Sequence, residues 1–545
     1  MRIFIGLLNM VLLMSVFGAS AQRTVGLTNY TSEVSDGYVL FAPLAFEKTY
    51  LIDQCGDLVH DWDHTEAIGT AAELLPNGNL LRTERMASSV NGAGVGGRFI
   101  ELDWDGNVVR SIEIATDTLH AHHDFTVLPN GNLLVILWEV HDRADALSQG
   151  ADGDLLDGEI WSERIVELAP TANSWEEVWR WRVWDHLVQD FNPAAENFGV
   201  VSENPRRFDL NMRGPNMDAN LDWFHINAVA TSADGKQIIL SARTMNEVYI
   251  IDHTTTSAEA ASSTGGEFGQ GGELLYRFGN DANYAEGVTD SRIFYGQHDA
   301  RFTMIGPHAG SLTVFNNGVN RVGGEFSSVY RWVPRFDFAG NYLLENNVFA
   351  APGLVEELPL DVSLYSSILS SAQPMPSGGY VVNSGRLGAF LEIDANGEEL
   401  WRYVSPVGQL GPVRQGLRPS GSTVFQVNHY ALDDPRFNGR NLTPGDPVEL
   451  DPAVSLCLLV GTSDPVLEDV SVYPNPTRAW LTIVDAPAGT AHVQVYDGQG
   501  RVVLQQALAG GQVYLGGLGT GLYSLVLLDA GGGMLGRVRI SRVDL

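Results

Sequence analysis

Short apolar runs separated by polar turns fill most of the chain, and they recur as two kinds of unit. In the first unit, an apolar strand, an acidic turn and a strand ending in tryptophan follow one another, as in LIDQCGDLVHDW from Leu51 and FLEIDANGEELWRYV from Phe390. In the second unit, an apolar run enters a Pro/Ser-Gly turn and leaves through another apolar run. Aromatic and β-branched residues alternate with polar ones around these turns, which predicts β-hairpins.

The second unit is repeated along the central part of the chain. Its six copies begin at Thr70, His123, His225, His298, Ser370 and Val413. Short strands in repeated units of this kind are typical of a β-propeller, in which each repeat supplies one blade. The sequence therefore predicts an all-β fold built around a six-bladed β-propeller.

The two ends of the chain differ from this repeated part. Residues 1–21 combine Arg2, a long apolar run and Ala19-Ser20-Ala21, which is typical of a cleaved secretory signal peptide. After Asp464, short strands such as AHVQVYDGQGRVV predict a separate small β-sandwich. We therefore predict a signal peptide at 1–21, the propeller at 22–463 and the β-sandwich at 464–545. No later stretch reaches the roughly 20 uninterrupted apolar residues of a transmembrane helix, so none is predicted.

Charge narrows the classes of partner. The chain has 33 Lys and Arg against 66 Asp and Glu, a formal charge of −33. Nucleic acid is excluded as a partner because phosphate binding needs a basic surface. Lys48 and Lys236 are the only lysines, which argues against Schiff-base chemistry and lysine-based phosphate loops. An anion site in this chain has to be built from Arg, His and backbone N–H groups.

The two cysteines, Cys55 and Cys457, lie near the two ends of the repeated region. An exported chain can oxidise them to a disulfide that ties the first part of the fold to the last. The alternative is a pair of unrelated buried thiols, and the sequence leaves both interpretations open.

A propeller brings equivalent positions of its blades to one axial channel, and this predicts a site. His123, His225 and His298 begin the inner strands of three copies and are expected to face that funnel. Cationic and amide groups follow the matching strand exits, and Asp299 follows a histidine; the predicted substrate-binding residues are His123, Arg243, Asn317, Arg386 and Asp299. A local positive potential inside an acidic protein favours a tetrahedral oxyanion such as a sulfate or phosphate ester.

The C-terminal segment resembles a known sorting domain. Tyr473-Pro474-Asn475-Pro476, the turn from Tyr496-Asp497 to Gly500-Arg501, and Leu518-Gly519-Thr520-Gly521-Leu522-Tyr523 are similar to motifs of the C-terminal sorting domain of the type IX secretion system of Bacteroidota. The resemblance implies interaction with that secretion machinery and a secreted or cell-surface location, with passage through the periplasm and outer membrane. A generic carbohydrate-binding sandwich is the alternative for this segment.

The repeated region resembles the bacterial arylsulfotransferase family. The motifs that carry the resemblance are DWFHINAV from Asp222, SARTMNEVYIID from Ser241, GGELLYRFGN from Gly271, GQHD from Gly296, and FNNG from Phe315 with Arg321. The family implies a six-bladed propeller and transfer of a sulfuryl group from an aryl sulfate donor to a phenolic acceptor, without a nucleotide donor and without cofactors or metal. It also implies a covalent sulfohistidine. By motif, His225 and His298 match active-site histidines, and Arg321 matches a sulfate-binding arginine.

One departure from the family pattern concerns the nucleophile. The family places its nucleophilic histidine about one blade after these motifs, where this chain reads VVNSGRLGAF from Val381 and has no histidine. Between His308 and the end of the propeller the only histidine is His429, which we include among the predicted catalytic residues. Either His429 or another funnel histidine takes the role, or the covalent mechanism is lost and Arg386 merely binds an anion.

Three other interpretations of the sequence remain. A non-catalytic propeller that binds sulfated glycans or other anionic ligands at the cell surface is favoured by the missing histidine. A quinone-dependent dehydrogenase is disfavoured, because such enzymes use more blades and an adjacent cysteine pair. Calcium binding by ADGDLLDGE from Ala151 is the third, although its spacing does not match an EF-hand loop and an acidic solvated insertion explains it better.

Overall fold

The structure is a computed structural model that describes residues 23–213, 222–288, 291–453, 455–457, 470–484, 486–497, 501–508, 510–530 and 534–543. The predicted signal peptide and the predicted boundary between residues 463 and 464 lie outside the described residues. Thr24–Cys457 form one compact unit, and the described residues from 470 onward belong to a second unit.

The first unit is all-β in architecture. Its described residues form six antiparallel sheets of four or five strands, which we number I to VI. In hydrogen-bonded order, sheet I contains Val424–Tyr430, Tyr38–Pro43, Lys48–Asp53 and Leu58–Asp63; sheet II contains Ile68–Leu74, Leu80–Arg85, Gly97–Leu102 and Val108–Glu113; sheet III contains Leu119–Val127, Leu133–His141, Ile160–Pro170 and Trp175–Arg182. Sheet IV contains Ile226–Thr231, Gln237–Ala242, Glu247–Asp252 and Tyr276–Phe278; sheet V contains His298–Phe302, Leu312–Asn316, Ser328–Val333 and Leu354–Pro359; sheet VI contains Ser371–Pro374, Tyr380–Ser384, Ala389–Ile393, Glu399–Val404 and Gly26–Tyr30. We call the first strand named in each sheet its inner strand.

The hairpins follow from the turn residues that the sequence supplies. Between the first two strands of sheet III, Gly131 has φ +85°, a conformation that favours glycine. The side chain of Asn130 accepts a hydrogen bond from the backbone N–H of Asn132, and the amide of Asn132 donates to Glu167 on the neighbouring strand. The turn is thus held by its own asparagine side chains, as expected for a Pro-Asn-Gly hairpin.

Polar side chains of the inner strands link each sheet to the next, and sheet VI to sheet I. The donor and acceptor pairs are Thr70 Oγ1 to His123 O, Val229 N to Asp124 Oδ2, Asn227 Nδ2 to Gln297 O, Ala372 N to Asp299 Oδ2, Val427 N to Ser371 Oγ, and Asn428 Nδ2 to Ala72 O. Buried apolar clusters lie between sheets I and II, II and III, III and IV, IV and V, and V and VI. Phe41 of sheet I packs on Phe390 of sheet VI, with 5.0 Å between ring centroids. Apolar packing and a ring of hydrogen bonds therefore hold neighbouring sheets together.

The two ends of this unit are both paired into sheets. The inner strand of sheet I, Val424–Tyr430, comes from the end of the unit and pairs antiparallel with Tyr38–Pro43. The predicted hairpin from Val413 is therefore wrong in part: within it, only the run from Val424 is a full strand, and its partner lies near the start of the chain. The N-terminal strand Gly26–Tyr30 pairs with Glu399–Val404. Long-range pairing of this kind leaves no local turn signal in the sequence.

Helices are short in the described residues. The α-helices are Arg143–Ser148 and Ser257–Ala260, and the 3-10 turns are Gly153–Leu155, Val183–His186, Val201–Glu203, Asp281–Asn283, Gly306–His308, Val362–Leu364 and Pro435–Phe437. Three two-stranded ladders pair Leu187–Val188 with Phe208–Asp209, Leu344–Glu345 with Val348–Phe349, and Val407–Gly408 with Gly411–Pro412. None of the described helices is long and apolar enough to span a membrane.

The second unit also consists of antiparallel strands. One sheet orders Ser471–Tyr473, Trp480–Val484 and Gln512–Tyr514, and the other orders Val502–Ala507, His492–Tyr496, Gly521–Leu528 and Met534–Arg542. Buried residues of both sheets, including Leu481, Val495 and Leu525, form one apolar cluster. The two sheets of this unit therefore share a core.

Candidate functional site

A β-bulge lies at or beside a histidine in three of the inner strands, and in sheet III that histidine is in the middle of the strand rather than at the predicted start. His123 and His225 have φ 51° and 52°, and Asp299, directly after His298, has φ 56°. Such values are uncommon outside glycine. The strand register slips at the same place in sheets III, IV and V, which marks a β-bulge. Because a bulge re-aims a side chain, three sheets can present equivalent histidines to one place.

The structure brings these residues together. The rings of His123 and His225 are in edge contact, with 4.5 Å between centroids. Burial, and after it the neighbouring His225, His122, His298 and Arg243, lowers the pKa of His123 well below its usual value. Burial and then Arg243 lower the pKa of His298 to about 3. We call His123, His225, His298 and Arg243 the histidine cluster.

His298 is held in one tautomer. Its Nδ1 lies 2.7 Å from Asn317 Oδ1 and 3.1 Å from Gly296 O. The Asn317 amide nitrogen donates to Ser366 O and Leu369 O, so the oxygen of that amide has to face His298. Both neighbours of Nδ1 are acceptors, and therefore Nδ1 carries the proton and Nε2 keeps its lone pair. Asn317, predicted as a substrate-binding residue, lies where it orients His298.

His225 has a different partner, a carboxylate. Its Nδ1 lies 2.5 Å from Asp222 Oδ2, and Asp222 Oδ1 accepts a hydrogen bond of 2.9 Å from Trp138 Nε1. Burial acts to raise the pKa of Asp222, but the charge of His225 and its hydrogen bond outweigh burial and lower that pKa. Asp222 is therefore ionised and held from both oxygens. Its position fixes the ring of His225 with Nε2 free of any described partner.

His123 ends a buried chain of hydrogen bonds. Glu163 Oε2 lies 2.9 Å from His122 Nε2, and His122 Nδ1 lies 2.8 Å from His123 Nδ1. Glu163 also accepts from the backbone N–H of Ile226, next to His225. Burial raises the pKa of Glu163 well above its usual value and lowers that of His122. This series of hydrogen bonds therefore links His123 of sheet III to Ile226, the residue directly after His225.

Arg243 is the cation of the histidine cluster. Burial lowers the pKa of its guanidinium, and the charge of Asp222 acts in the opposite direction. The side chain has no hydrogen bond or ion pair with another described residue. Tyr365 lies near Arg243 and the exposed Arg386; burial and then Glu325, which shares a hydrogen bond with it, raise the pKa of Tyr365 to about 12. Among the described residues, the charge of Arg243 is thus not neutralised by a hydrogen-bonded partner, and the neutral phenol of Tyr365 lies near it.

Arg321 is engaged elsewhere. Its Nη1 and Nη2 lie 2.7 and 2.8 Å from the two carboxylate oxygens of Glu357, and its guanidinium stacks on Phe326 at 4.1 Å. A bidentate ion pair of this kind already uses the face of an arginine that would hold an oxyanion. The predicted sulfate-binding role of Arg321 remains a prediction that has to compete with Glu357.

Two other predicted residues are not brought to the histidine cluster. His429 Nε2 lies 3.3 Å from Gln54 Nε2, and the backbone of His429 is bonded to Gln373; burial alone lowers its pKa to about 4. Asp299 is ion-paired with Arg301 and lines a cavity of about 350 Å³ at the hairpin ends of the inner strands. The histidine cluster does not line that cavity. The alternation of strand positions separates Asp299 from the neighbouring His298.

Sequence reasoning missed four polar residues of this site: Asp222, His122, Glu163 and Tyr365. Asp222 stands three positions before His225 in the motif already noted, and His122 is adjacent to His123, so both had a local signal. Glu163 reaches the site only because its strand pairs with Leu133–His141, and Tyr365 lies in a loop before sheet VI. These two have no signal in the spacing of the sequence.

No group of three or more His, Cys, Asp and Glu side chains suited to a metal ion occurs in the described ranges. The acidic segment 151–159 lies within these ranges.

Gly94 lies against His123 and gives a test of how tightly the cluster is packed. An added Cβ at Gly94 would lie 2.2 Å from His123 Nε2, whereas at Gly131, with nearly the same φ, it would meet nothing within 4 Å. We expect Gly94→Ala to lower the free energy of unfolding by about 2–4 kcal/mol and Gly131→Ala by only about 1 kcal/mol, measured by urea titration. Equal losses of unfolding free energy in the two variants would show that the ring of His123 moves aside without destabilising the protein.

Together, the all-β fold, the sorting motifs and the histidine cluster define an exported all-β protein in which three histidines and one arginine come together. The chain belongs to the arylsulfotransferase family: the model described as Arylsulfotransferase (ASST) matches residues 33–406. A second model, the secretion system C-terminal sorting domain, matches residues 471–537. Both predicted resemblances are confirmed, and the type IX sorting domain places the protein at the cell surface or outside the cell.

No curated protein matches the chain at a significant level. Among solved structures, a periplasmic gluconolactonase of Pseudomonas aeruginosa, PpgL, is 11% identical with a TM-score of 0.35, over 73% of this chain and 100% of that one. A streptogramin B lyase is 10% identical with a TM-score of 0.33, over 71% of this chain and 84% of that one.

Proposed function

We propose that sheets I to VI are the blades of a six-bladed β-propeller, spanning the predicted range 22–463, and that the second unit is a β-sandwich within 464–545. The sheet-to-sheet hydrogen bonds that run from sheet I back to sheet I support the ring, and the shared core of the two C-terminal sheets supports the sandwich. Residues 1–21 act as a signal peptide in this proposal.

We propose further that the protein transfers a sulfuryl group from an aryl sulfate ester to a phenolic acceptor, through a histidine of the histidine cluster and without a nucleotide. Family membership supports aryl sulfotransfer in general. The observation that carries the finer proposal is the pair formed by His298, neutral with a free Nε2, and Arg243, a cation without a described partner. A neutral imidazole is a nucleophile, and a guanidinium stabilises charge on the oxygens of the transferred group.

The acidic exterior is compatible with this chemistry because the cations of the site are drawn from separate sheets. Arg243 follows the second strand of sheet IV, and Arg386 lies in the turn between the second and third strands of sheet VI. Their convergence gives a local positive potential that attracts a sulfate ester despite the net charge of −33.

Release of a coloured phenol from 4-nitrophenyl sulfate, with and without phenol as acceptor, tests the proposal. We expect release that accelerates when phenol is added, together with formation of phenyl sulfate. Acceptor-independent release would indicate a hydrolase. Absence of turnover, together with binding of a sulfated oligosaccharide, would favour the non-catalytic alternative in which the same cations only bind an anionic ligand.

A further inference from the structure

The family's usual nucleophile position holds no histidine in this chain, and the structure leaves His429 outside the histidine cluster. Two histidines of the cluster, His225 and His298, each have Nδ1 bonded to a protein acceptor and Nε2 without a described partner. Their acceptors differ in charge: Asp222 offers a carboxylate, and Asn317 offers a neutral amide. The difference in partner suggests a difference in role.

A carboxylate strongly stabilises the positively charged form of an imidazole, whereas a neutral amide oxygen does so less and mainly orients the ring. Beside Asn317 and Arg243, His298 is buried and kept neutral, which suits a nucleophile. The Nδ1 of His225 faces the carboxylate of Asp222, the kind of partner that supports an imidazole acting as acid and base. Pairs of titratable groups that have different neighbours are typical of such divided roles.

We infer that His298 is the nucleophile of this enzyme, with Asn317 as its positioning residue, and that His225, positioned by Asp222, is the general acid and base. This inference rests on the proposed sulfuryl transfer. It assigns to this chain a substitute for the histidine that the family pattern would place in the stretch from Val381 to Phe390.

The sulfuryl group is transferred in two steps, first to His298 and then to the acceptor phenol. The lone pair of His298 Nε2 attacks sulfur and forms an N–S bond, while the S–O bond to the aryl group breaks and its electron pair leaves on the phenolate oxygen. His225 gives its Nε2 proton to that oxygen, so a neutral phenol departs. In the second step His225 takes the proton of the acceptor phenol, the acceptor oxygen bonds to sulfur, and the N–S electron pair returns to His298.

Asn317 and Arg243 stabilise the intermediate in this scheme. After attack, the imidazole ring of His298 carries a positive charge and the sulfuryl oxygens carry negative charge. The Nδ1 proton of His298 remains hydrogen-bonded to Asn317, and Arg243 faces the oxygens. His123 packs against His225 and is itself tied to His122 and Glu163, so it limits the movement of the acid.

A series of aryl sulfates separates the two roles. With 4-nitrophenyl sulfate the leaving phenolate needs little protonation, whereas with phenyl sulfate it needs a proton from the enzyme. We expect His298→Gln to abolish the first-turnover burst of phenol and the covalent adduct with both donors. We expect His225→Gln to slow the burst by about 10²–10⁴-fold with phenyl sulfate but only slightly with 4-nitrophenyl sulfate.

Asp222→Asn tests the positioning role. A merely structural defect would slow both donors by the same factor, whereas loss of the charge that supports the acid slows phenyl sulfate more than 4-nitrophenyl sulfate. We expect the second pattern, with a smaller effect than in His225→Gln. Equal slowing of the two donors would overturn the assignment of Asp222.

Mapping the adduct in the unaltered protein covers the case in which a variant does not fold. After alkaline quenching, peptide mass spectrometry should find one added SO₃ group on the peptide that contains His298. An adduct on His225, His123 or His429, with normal turnover, would overturn the role assignment while leaving the proposed function intact. Absence of both adduct and turnover would overturn the proposed function and the inference with it.

Discussion

Replacing Arg243 by methionine is expected to lower kcat/KM for an aryl sulfate by about 10²–10³-fold, the usual cost of removing one preorganised charge partner of a transition state. The guanidinium acts on His298 and His123, and no described residue neutralises it through a hydrogen bond or ion pair. Methionine keeps most of the apolar stem and removes the charge. Steady-state kinetics with 4-nitrophenyl sulfate and phenol measure the effect.

Two further variants serve as controls for Arg243→Met. Arg243→Lys keeps the charge but loses the planar fork, so we expect it to recover part of the activity. Arg335→Met makes the same change of side chain at an exposed position, where Arg335 is paired with Glu345, and should leave kcat/KM unchanged. If Arg243→Met is as active as the unaltered protein, the oxyanion is held elsewhere, and Arg321 released from Glu357 becomes the next candidate.

Removing the disulfide is the second large effect that we expect. Cys55 and Cys457 are bonded across 402 positions of the sequence, with 5.3 Å between their Cα atoms. Cys55 follows a strand of sheet I, and Cys457 is the last residue of the first unit. The bond restricts the unfolded chain over a very long loop, and the double variant Cys55→Ser with Cys457→Ser should lose about 2–5 kcal/mol of unfolding free energy.

Urea titrations of the oxidised protein, the reduced protein and the double variant measure this loss. Reduction should lower the midpoint of the unaltered protein to that of the double variant and should not affect the variant. An unchanged midpoint after reduction would contradict the expectation, because it would show that the pairing of Val424–Tyr430 with Tyr38–Pro43 alone closes the unit.

Part of the fold could be read from local patterns. The hairpins around Gly131 and the other Gly turns follow from turn chemistry that acts over a few residues. The strand that begins at Val424 shows the limit of such patterns. Its turn-like neighbourhood predicts a local hairpin, but its partner Tyr38–Pro43 comes from the other end of the unit, and only burial of both strands together decides that pairing.

The sequence likewise predicted only part of the candidate site. Repeat alignment predicted that His123, His225 and His298 belong together, because equivalent positions of a repeated unit occupy equivalent places. It also grouped Asp299 and His429 with them, and the structure places these two elsewhere. Asp299 points to the other side of its strand, since neighbouring residues of a strand face opposite ways.

By itself, the sequence determined the all-β class, the family, the sorting domain and the export of this protein, because these depend on composition, local periodicity and short motifs. Only the tertiary structure decided which partner each functional side chain has. Asp222 and Asn317 give His225 and His298 different surroundings, and Glu357 engages Arg321, whereas Arg243 has no ion pair with any residue that the structure describes. Protonation and charge depend on neighbours within a few ångströms, and distant parts of the chain supply most of those neighbours.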